Sequence, residues 1–572
     1  MGNHPFYRSA GYILDSDTFR WLLIGGTLIA YLAGLFLLPD RPVFWSPDEG
    51  GKYLHMRQIA SSHQIANPLP YRGRMLDPGL ENVPLLYWLR SGNQILSWWP
   101  VWFPAISSWV YRFLGFRGIY LIPVLSSVLL STMAYWTVSG ASKRLALVAM
   151  AVTALASPIA FYGLTFWEHT LQSLLVFLAF ASIVRGWTTE SARWYAASGL
   201  FLGLATYLRL ETVIYAGAVG MSGVFWIHSR RRARSSAEAV VSRLAVLAAC
   251  FLVVLVPLMM HNQLNEGHIL GRRSALETHK VLSTSLSYGR TSMLETLPDL
   301  LFGTPVHGSI DLVPSLRWMF ALATIACFVA PWLIRQNLEF VVYLAAVALI
   351  ALCGIVLFTP TMYISVHGLV LIAPYVVFAG WGLRPSSDQD TLSWGCLSAF
   401  GLAAFLLATI ISGWEGQGGL QWGPRYALPL FPLLIVAAVR GVRHMVADES
   451  IEKATRHALT GCLIILVLLG VGFQARGLLA MFISRHVYAA WEEELEALPN
   501  DVIIATDLSW LALTVPDVYE TRVMYLMSSE HTPQEDWLRV AQDAGFKHIC
   551  QVHRASFFDL EVSCSDLSGT GF

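Results

Sequence analysis

Phe44-Trp45-Ser46-Pro47-Asp48-Glu49-Gly50-Gly51-Lys52-Tyr53-Leu54-His55 follows directly on the first long apolar run, Trp21 to Pro39. Adjacent carboxylates just outside a membrane span are unusual, because ionised groups beside hydrocarbon are costly and persist where they serve a function. Pro47 suits the first turn of a helix, and Asp48 and Glu49 then sit near its N-terminus, where the dipole favours negative charge. On that helix Asp48, Lys52 and His55 share one face, at i, i+4 and i+7. Two readings stand at this point: the acidic pair caps a loop helix, or it serves chemistry at a membrane boundary.

Working outward, composition sets the class. Of 572 residues 55% are hydrophobic and only 13% charged, with a mean hydropathy of +0.53. Soluble domains carry roughly twice that charged fraction. The 21 Trp, 21 Tyr and 29 Phe are the aromatics that settle at bilayer interfaces. An all-α polytopic membrane protein is the expectation. Formal net charge is zero, and nothing points to nucleic acid as a partner. The first apolar run lacks a small-residue cleavage site and reads as an anchor, not a removable signal peptide. Cys250, Cys327, Cys353, Cys396 and Cys462 lie in apolar runs, where Cys packs as a small hydrophobe. Cys550 and Cys564 lie in a polar region, as a disulfide or as two free thiols.

Apolar runs of near-spanning length recur at 21–39, 119–139, 145–162, 170–187, 195–208, 212–228, 244–261, 316–334, 339–358, 365–382, 394–412, 426–440 and 457–475. They predict about 13 transmembrane helices, several of them short enough to be irregular. Lys143-Arg144, Arg185 with Arg193, Arg230 to Arg234, Arg335, Arg384, and Arg440 with Arg443 fall in alternate loops. By the positive-inside rule these loops and the N-terminus are cytoplasmic, and an odd number of spans sends the tail outside. A membrane domain is therefore expected over 1–475, with large outer loops at 40–118 and 262–315. The tail, 476–572, changes character. Asp501 to Asp507, Arg522 to Met527 and Lys547 to Val552 read as strands, and Pro533 to Ala544 as a helix capped by Gly545. A small extracytoplasmic α/β domain is the expectation there, without a nucleotide-binding glycine motif.

Charged residues then gather on one predicted face. The first outer loop contributes Asp48, Glu49, Lys52 and Arg57, and the second contributes Arg272 and Arg273. Short outer loops contribute Trp167-Glu168-His169, Arg209-Leu210-Glu211 and Pro424-Arg425-Tyr426. Moving a sugar from a lipid phosphate to a hydroxyl needs a carboxylate base, cations for the leaving phosphate and a groove for the lipid. Asp48, Glu49 and Glu168 are base candidates; Lys52, Arg57, Arg209, Arg272, Arg273 and Arg425 are phosphate candidates. The plainer alternatives are a local ion pair for Arg209 and Glu211, a polar loop tip for Glu168 and His169, and a topology signal for Arg230 to Arg234. The interfacial tryptophans and tyrosines read first as membrane anchors.

At these residues the chain resembles a family. Asp48-Glu49 after the first span resembles the Asp-Glu signature of GT-C class glycosyltransferases, which include protein O-mannosyltransferases and the aminoarabinose transferase acting on lipid A. Gly203 to Arg209, His261-Asn262-Gln263 before Gly271, Leu301 to Gly308, and Trp422 to Pro429 look like further motifs of bacterial members. The resemblance implies a GT-C-like fold and an inverting transferase using a polyprenyl-phosphate sugar. It implies Asp48 as base with Glu49 beside it, and Arg425 with Tyr426 as a donor-phosphate or structural contact. The acceptor hydroxyl, on a glycan, lipid or protein, stays open, because the chain shows neither a sequon-reading motif nor a large accessory domain. Membrane lipids are expected partners. No cofactor is expected, although Asp48, Glu49, Glu168 and His169 could serve as ligands to a divalent cation. Two rivals remain: a transporter or flippase of a lipid-linked saccharide, and an O-antigen ligase or polymerase type of transferase.

Overall fold

The computed structural model describes residues 17–65, 68–230, 237–271, 297–298, 300–301, 305–306, 314–333, 337–358, 365–366, 368–384, 389–412, 421–449, 451–527, 535–556 and 559–567. The chain divides into two compact units. The first comprises 1–32, 122–164 and 168–478; the second comprises 33–121, 165–167 and 479–572.

The first unit is a set of apolar helices. A backbone in hydrocarbon must satisfy its own hydrogen bonds, and a helix does so within one segment. Among the described residues, seven helices of the chain are long and apolar enough to cross a membrane. They are Thr18–Phe36, Leu121–Ser139, His169–Thr189, Val241–Glu266, Thr391–Thr409, Leu430–Ala447 and Lys453–Glu496. Thr212–Trp226, Arg317–Trp332, Tyr343–Phe358 and Pro374–Leu383 are shorter apolar helices. Two predicted spans are broken into pieces. The run 145–162 becomes Lys143–Ala151, a wide turn at Val152–Ala156 and Ile159–Tyr162, with Pro158 at the second break. The run 365–382 becomes Leu369–Ile372, a tight turn at Pro374–Phe378 and Ala379–Leu383. Proline removes a helical donor and crowds the preceding turn, which explains both interruptions.

Close helix approach relies on small residues. Ala192–Leu208 packs along Ala237–Glu266 at a Gly-x-x-x-Gly face. A Cβ on Gly199 would stand 2.2 Å from the Leu247 carbonyl oxygen, and one on Gly203 would stand 2.6 Å from Val254. Helix association in lipid depends on such backbone contact, because burying apolar area gains little there.

The second unit joins the first loop to the tail. Its sheet has the order Val523–Leu526, Val502–Thr506, His548–Arg554, Leu560–Asp566, with the first three strands parallel and the last antiparallel. Three of these strands and the helix Glu535–Asp543 match the sequence reading; the edge strand Leu560–Asp566 does not appear in it. Its burial pattern is mostly exposed, so no apolar alternation announces it. Cys550 and Cys564 face each other across this last pair of strands and form a disulfide.

The tail does not stand apart from the loop. Leu54, Leu69 and Trp99 of the loop share one core with Trp491, Ile504 and Val518 of the tail. Backbone bonds cross between them, from Phe44 N–H to the Thr514 carbonyl (3.0 Å) and from Leu526 N–H to the Asn82 carbonyl (2.8 Å). A tail of this size alone is near the lower limit for a self-sufficient core, and the loop enlarges it.

Candidate functional site

In the second unit the acidic pair opens the helix Pro47–Ser62. Ser46 is its N-cap, in extended conformation, and its hydroxyl accepts the Asp48 N–H at 3.1 Å. Glu49 closes the reciprocal bond by accepting the Ser46 N–H at 3.3 Å, so two orphan donors of the first turn are satisfied. Glu49 does more than cap. Its Oε1 accepts the Phe166 N–H at 2.7 Å and pairs with Arg485 Nη2 at 2.5 Å. The other arm of Arg485 donates to the Tyr120 hydroxyl at 2.6 Å. Glu49 and Arg485 are wholly buried, at 0% and 1% exposure of their side chains. Burial pushes the Glu49 carboxyl above its ordinary range, opposed by Arg485, the Phe166 and Ser46 N–H groups, and Lys52.

Asp48 is only half-buried, unlike its neighbour. Lys52 and His55 are buried on the same helix, and the Lys52 ammonium stands 5.7 Å from the Trp167 ring. Burial lowers the His55 imidazole to about 4, despite a bond to the Ile65 backbone, so it is neutral at pH 7. Gly50 and Gly51 let other segments approach this turn: a Cβ on Gly50 would lie 1.5 Å from the Leu513 carbonyl oxygen, and one on Gly51 1.8 Å from the Trp99 ring. Arg57, a phosphate candidate from sequence, is engaged by Asp517 and Glu520 in the tail.

The first unit brings together a second cluster. Glu168 is the residue before the helix His169–Thr189, and Arg209 ends the helix Ala192–Leu208 in extended conformation. Arg209 Nη1 donates to Glu168 Oε1 at 2.7 Å, while its Nε and Nη2 hold Glu211 Oε1 at 2.9 and 2.5 Å. The His169 ring nitrogen lies 3.3 Å from Arg209. Burial opposes the charge on Arg209, but Glu211 and Glu168 outweigh it and hold the guanidinium more firmly protonated than usual. Both Arg209 and Arg425 lie over the Tyr426 ring, at 4.9 and 5.2 Å from its centre. The Tyr426 carbonyl accepts the Tyr215 hydroxyl at 2.6 Å.

The Trp422-Gly423-Pro424-Arg425-Tyr426 stretch is fixed locally. Gly423 has φ +76°, a conformation open to glycine, and its N–H donates to the Val366 carbonyl at 2.7 Å. Trp422 is fully buried and stacks on Phe161 at 5.7 Å. Glu168, His169, Arg209, Glu211, Arg425 and Tyr426, distant in sequence, therefore form one cluster. Arg272 and Arg273 lie outside the described residues. Among the described residues no three of His, Cys, Asp and Glu come together as a metal set.

Compared with solved structures, the chain is similar to the Archaeoglobus fulgidus oligosaccharyltransferase in complex with Zn and sulfate. The TM-score is 0.47 at 11% identity, over 92% of this chain and 67% of that one. It is also similar to ArnT from Cupriavidus metallidurans bound to undecaprenyl phosphate, with a TM-score of 0.48 at 12% identity, over 94% of this chain and 93% of that one. No protein-family model and no curated protein matches the sequence.

Sequence reasoning missed Arg485, Tyr120 and the two glycines. A signal for Arg485 was present: a lone arginine in Phe482-Ile483-Ser484-Arg485, just beyond an apolar run. Ionisable groups in such positions mark a site or a partner.

Proposed function

We propose that the chain is an inverting glycosyltransferase of the GT-C type, moving a sugar from a polyprenyl-phosphate donor to an acceptor hydroxyl on the outer face of the cytoplasmic membrane. The observation that carries this reading is the division of labour inside the acidic pair. Glu49 is committed to a cap, a backbone N–H and a buried arginine, whereas Asp48 keeps contact with solvent at the start of a well-anchored helix. A general base must reach the proton it takes, and Asp48 meets that condition better than Glu49.

In this mechanism Asp48 takes the proton of the acceptor hydroxyl as the oxygen attacks the anomeric carbon. The sugar–phosphate bond breaks on the opposite side, and the lipid phosphate leaves as an anion. Arg425 and Arg209 are assigned to that phosphate, with Tyr426 holding the two guanidinium groups in place. Glu168 and Glu211 orient Arg209. This reading gives no metal a role, and a chelator tests that directly.

The experiment is a transfer assay on purified protein with a panel of radiolabelled polyprenyl-phosphate sugars and total membrane lipids and glycans as acceptors. Transfer from one donor, reduced about 10²–10⁴-fold in Asp48→Asn and indifferent to chelator, is the expected result. Undiminished turnover by Asp48→Asn removes Asp48 as base. No transfer from any donor, alongside flipping of lipid-linked saccharide in vesicles, replaces the transferase by a transporter.

A further inference from the structure

The second unit contains a cleft of about 630 Å³ that the proposed chemistry does not use. It lies between the first loop and the tail and is lined by Arg57, Tyr71, Arg72, Asp517, Tyr519 and Glu520. Its volume falls within the range of small-molecule sites. The charged groups are locked to one another. Arg57 is bridged by Asp517 and Glu520, and Arg72 donates to the Glu520 carbonyl. Glu496, also at the cleft, is paired with Arg41 at 2.9 Å. The two tyrosines are oriented as well: Tyr519 donates its hydroxyl to the Pro70 carbonyl at 2.5 Å, and Tyr71 donates to Asp77 at 3.2 Å.

This chemistry selects a ligand class. The lining holds two guanidinium groups against three carboxylates, so a phosphorylated or otherwise polyanionic ligand is disfavoured. The apolar part of the lining is two tyrosine rings and Pro70, with no aliphatic side chain from Leu, Ile, Val or Met, which sets the cleft apart from a groove for a lipid tail. Carboxylates and guanidinium groups already paired present fixed acceptors and donors side by side. Sugar hydroxyls, which both donate and accept, match such a surface. Half-burying these ions is a weak source of stability, since desolvation offsets much of their attraction.

We propose that this cleft is a binding subsite for a neutral, hydroxyl-rich oligosaccharide, the glycan portion of the acceptor. Its role as an acceptor subsite rests on the transferase reading; its binding of saccharide does not. Arg57 belongs to the same helix as Asp48, nine positions on, so the two lie roughly 14 Å apart along the helix axis. A glycan of several residues spans such a distance, which makes the acceptor an extended chain in place of a monosaccharide.

The test measures binding to the purified full-length protein without donor. The probes are neutral di- to tetrasaccharides of hexoses, 6-deoxyhexoses and N-acetylhexosamines, with phosphorylated and sulfated counterparts. Thr521→Trp fills the cleft from an exposed position without removing a charge. At least one neutral oligosaccharide should bind, with affinity reduced tenfold or more in Thr521→Trp and in Glu520→Gln. A thermal melt confirms that each variant is folded; if Thr521→Trp does not fold, Glu520→Gln decides alone. Binding confined to anionic probes, binding indifferent to the folded variants, or no binding at all overturns the proposal. The two readings fail separately. A protein that binds but never transfers retires the transferase and keeps the cleft, and one that transfers with an acceptor KM unmoved by the variants does the reverse.

Discussion

Arg485→Met is the most informative single change in the second unit. It keeps a bulky, flexible side chain but takes the guanidinium away from Glu49 and from the Tyr120 hydroxyl, 2.5 and 2.6 Å distant. Glu49 is 0% exposed, so water cannot take the place of the lost cation. Breaking a buried ion pair from one side costs about 3–5 kcal/mol, because the remaining charge is left uncompensated. For a unit of this size each kcal/mol lowers the melting point by about 2–4 °C, so a fall on the order of 10 °C is expected. Glu49→Gln on top of Arg485→Met removes the stranded charge, and its amide oxygen can still accept the Phe166 N–H. The double variant should therefore regain most of the loss. Thermal unfolding of the detergent-purified protein reads the parent and both variants. An Arg485→Met melting point within about 2 °C of the parent refutes the reasoning. So does a double variant no more stable than the single one.

Two further outcomes follow from the same helix. Burial lowers His55 from 6.5 to about 4, so between those values the unfolded chain binds a proton that the folded chain refuses. Stability should then fall as pH drops from about 6.5 to about 4, by on the order of 3 kcal/mol, and His55→Gln should flatten that part of the profile. Gly50→Ala would drive a Cβ into the Leu513 carbonyl, so loss of folded protein is expected. Gly26→Ala has nothing within 4 Å of its new Cβ. It should be neutral, or stabilising by up to about 1 kcal/mol through helix propensity, and expression with melting distinguishes the two glycines.

Much of the helical part is legible in the sequence because hydrophobic length alone selects a helix in lipid. At Pro158 and Pro374 length misleads, and in each case one predicted span becomes several short pieces. The Glu168, Arg209 and Arg425 cluster is likewise legible as charges flanking apolar runs. The sequence offers Arg209 and Glu211, 2 positions apart, as a local ion pair; what it does not show is that Glu168, 41 positions away, holds the same guanidinium. The Arg485 partnership is harder still. Its acid lies 436 positions earlier, and no periodicity links residues at such separation.

The acidic pair shows where residue type stops being informative. Asp48 and Glu49 look equivalent as written, but consecutive positions on a helix are turned about 100° from each other. Ser46 fixes which of them turns inward, because the capping bond requires the carboxylate three positions after the cap. Once Glu49 is drawn to the cap, the Phe166 N–H and Arg485 complete its enclosure, and Asp48 is left toward solvent. The serine thus decides which acid is enclosed and which stays accessible. Asp48→Asn should register in turnover with little change in melting point. Glu49→Gln should register first in melting point, and Ser46→Ala should cost about 1 kcal/mol of stability through the lost cap. If Glu49→Gln abolishes turnover while leaving stability intact, the assignment within the pair is reversed, and Glu49 is the group that meets the substrate.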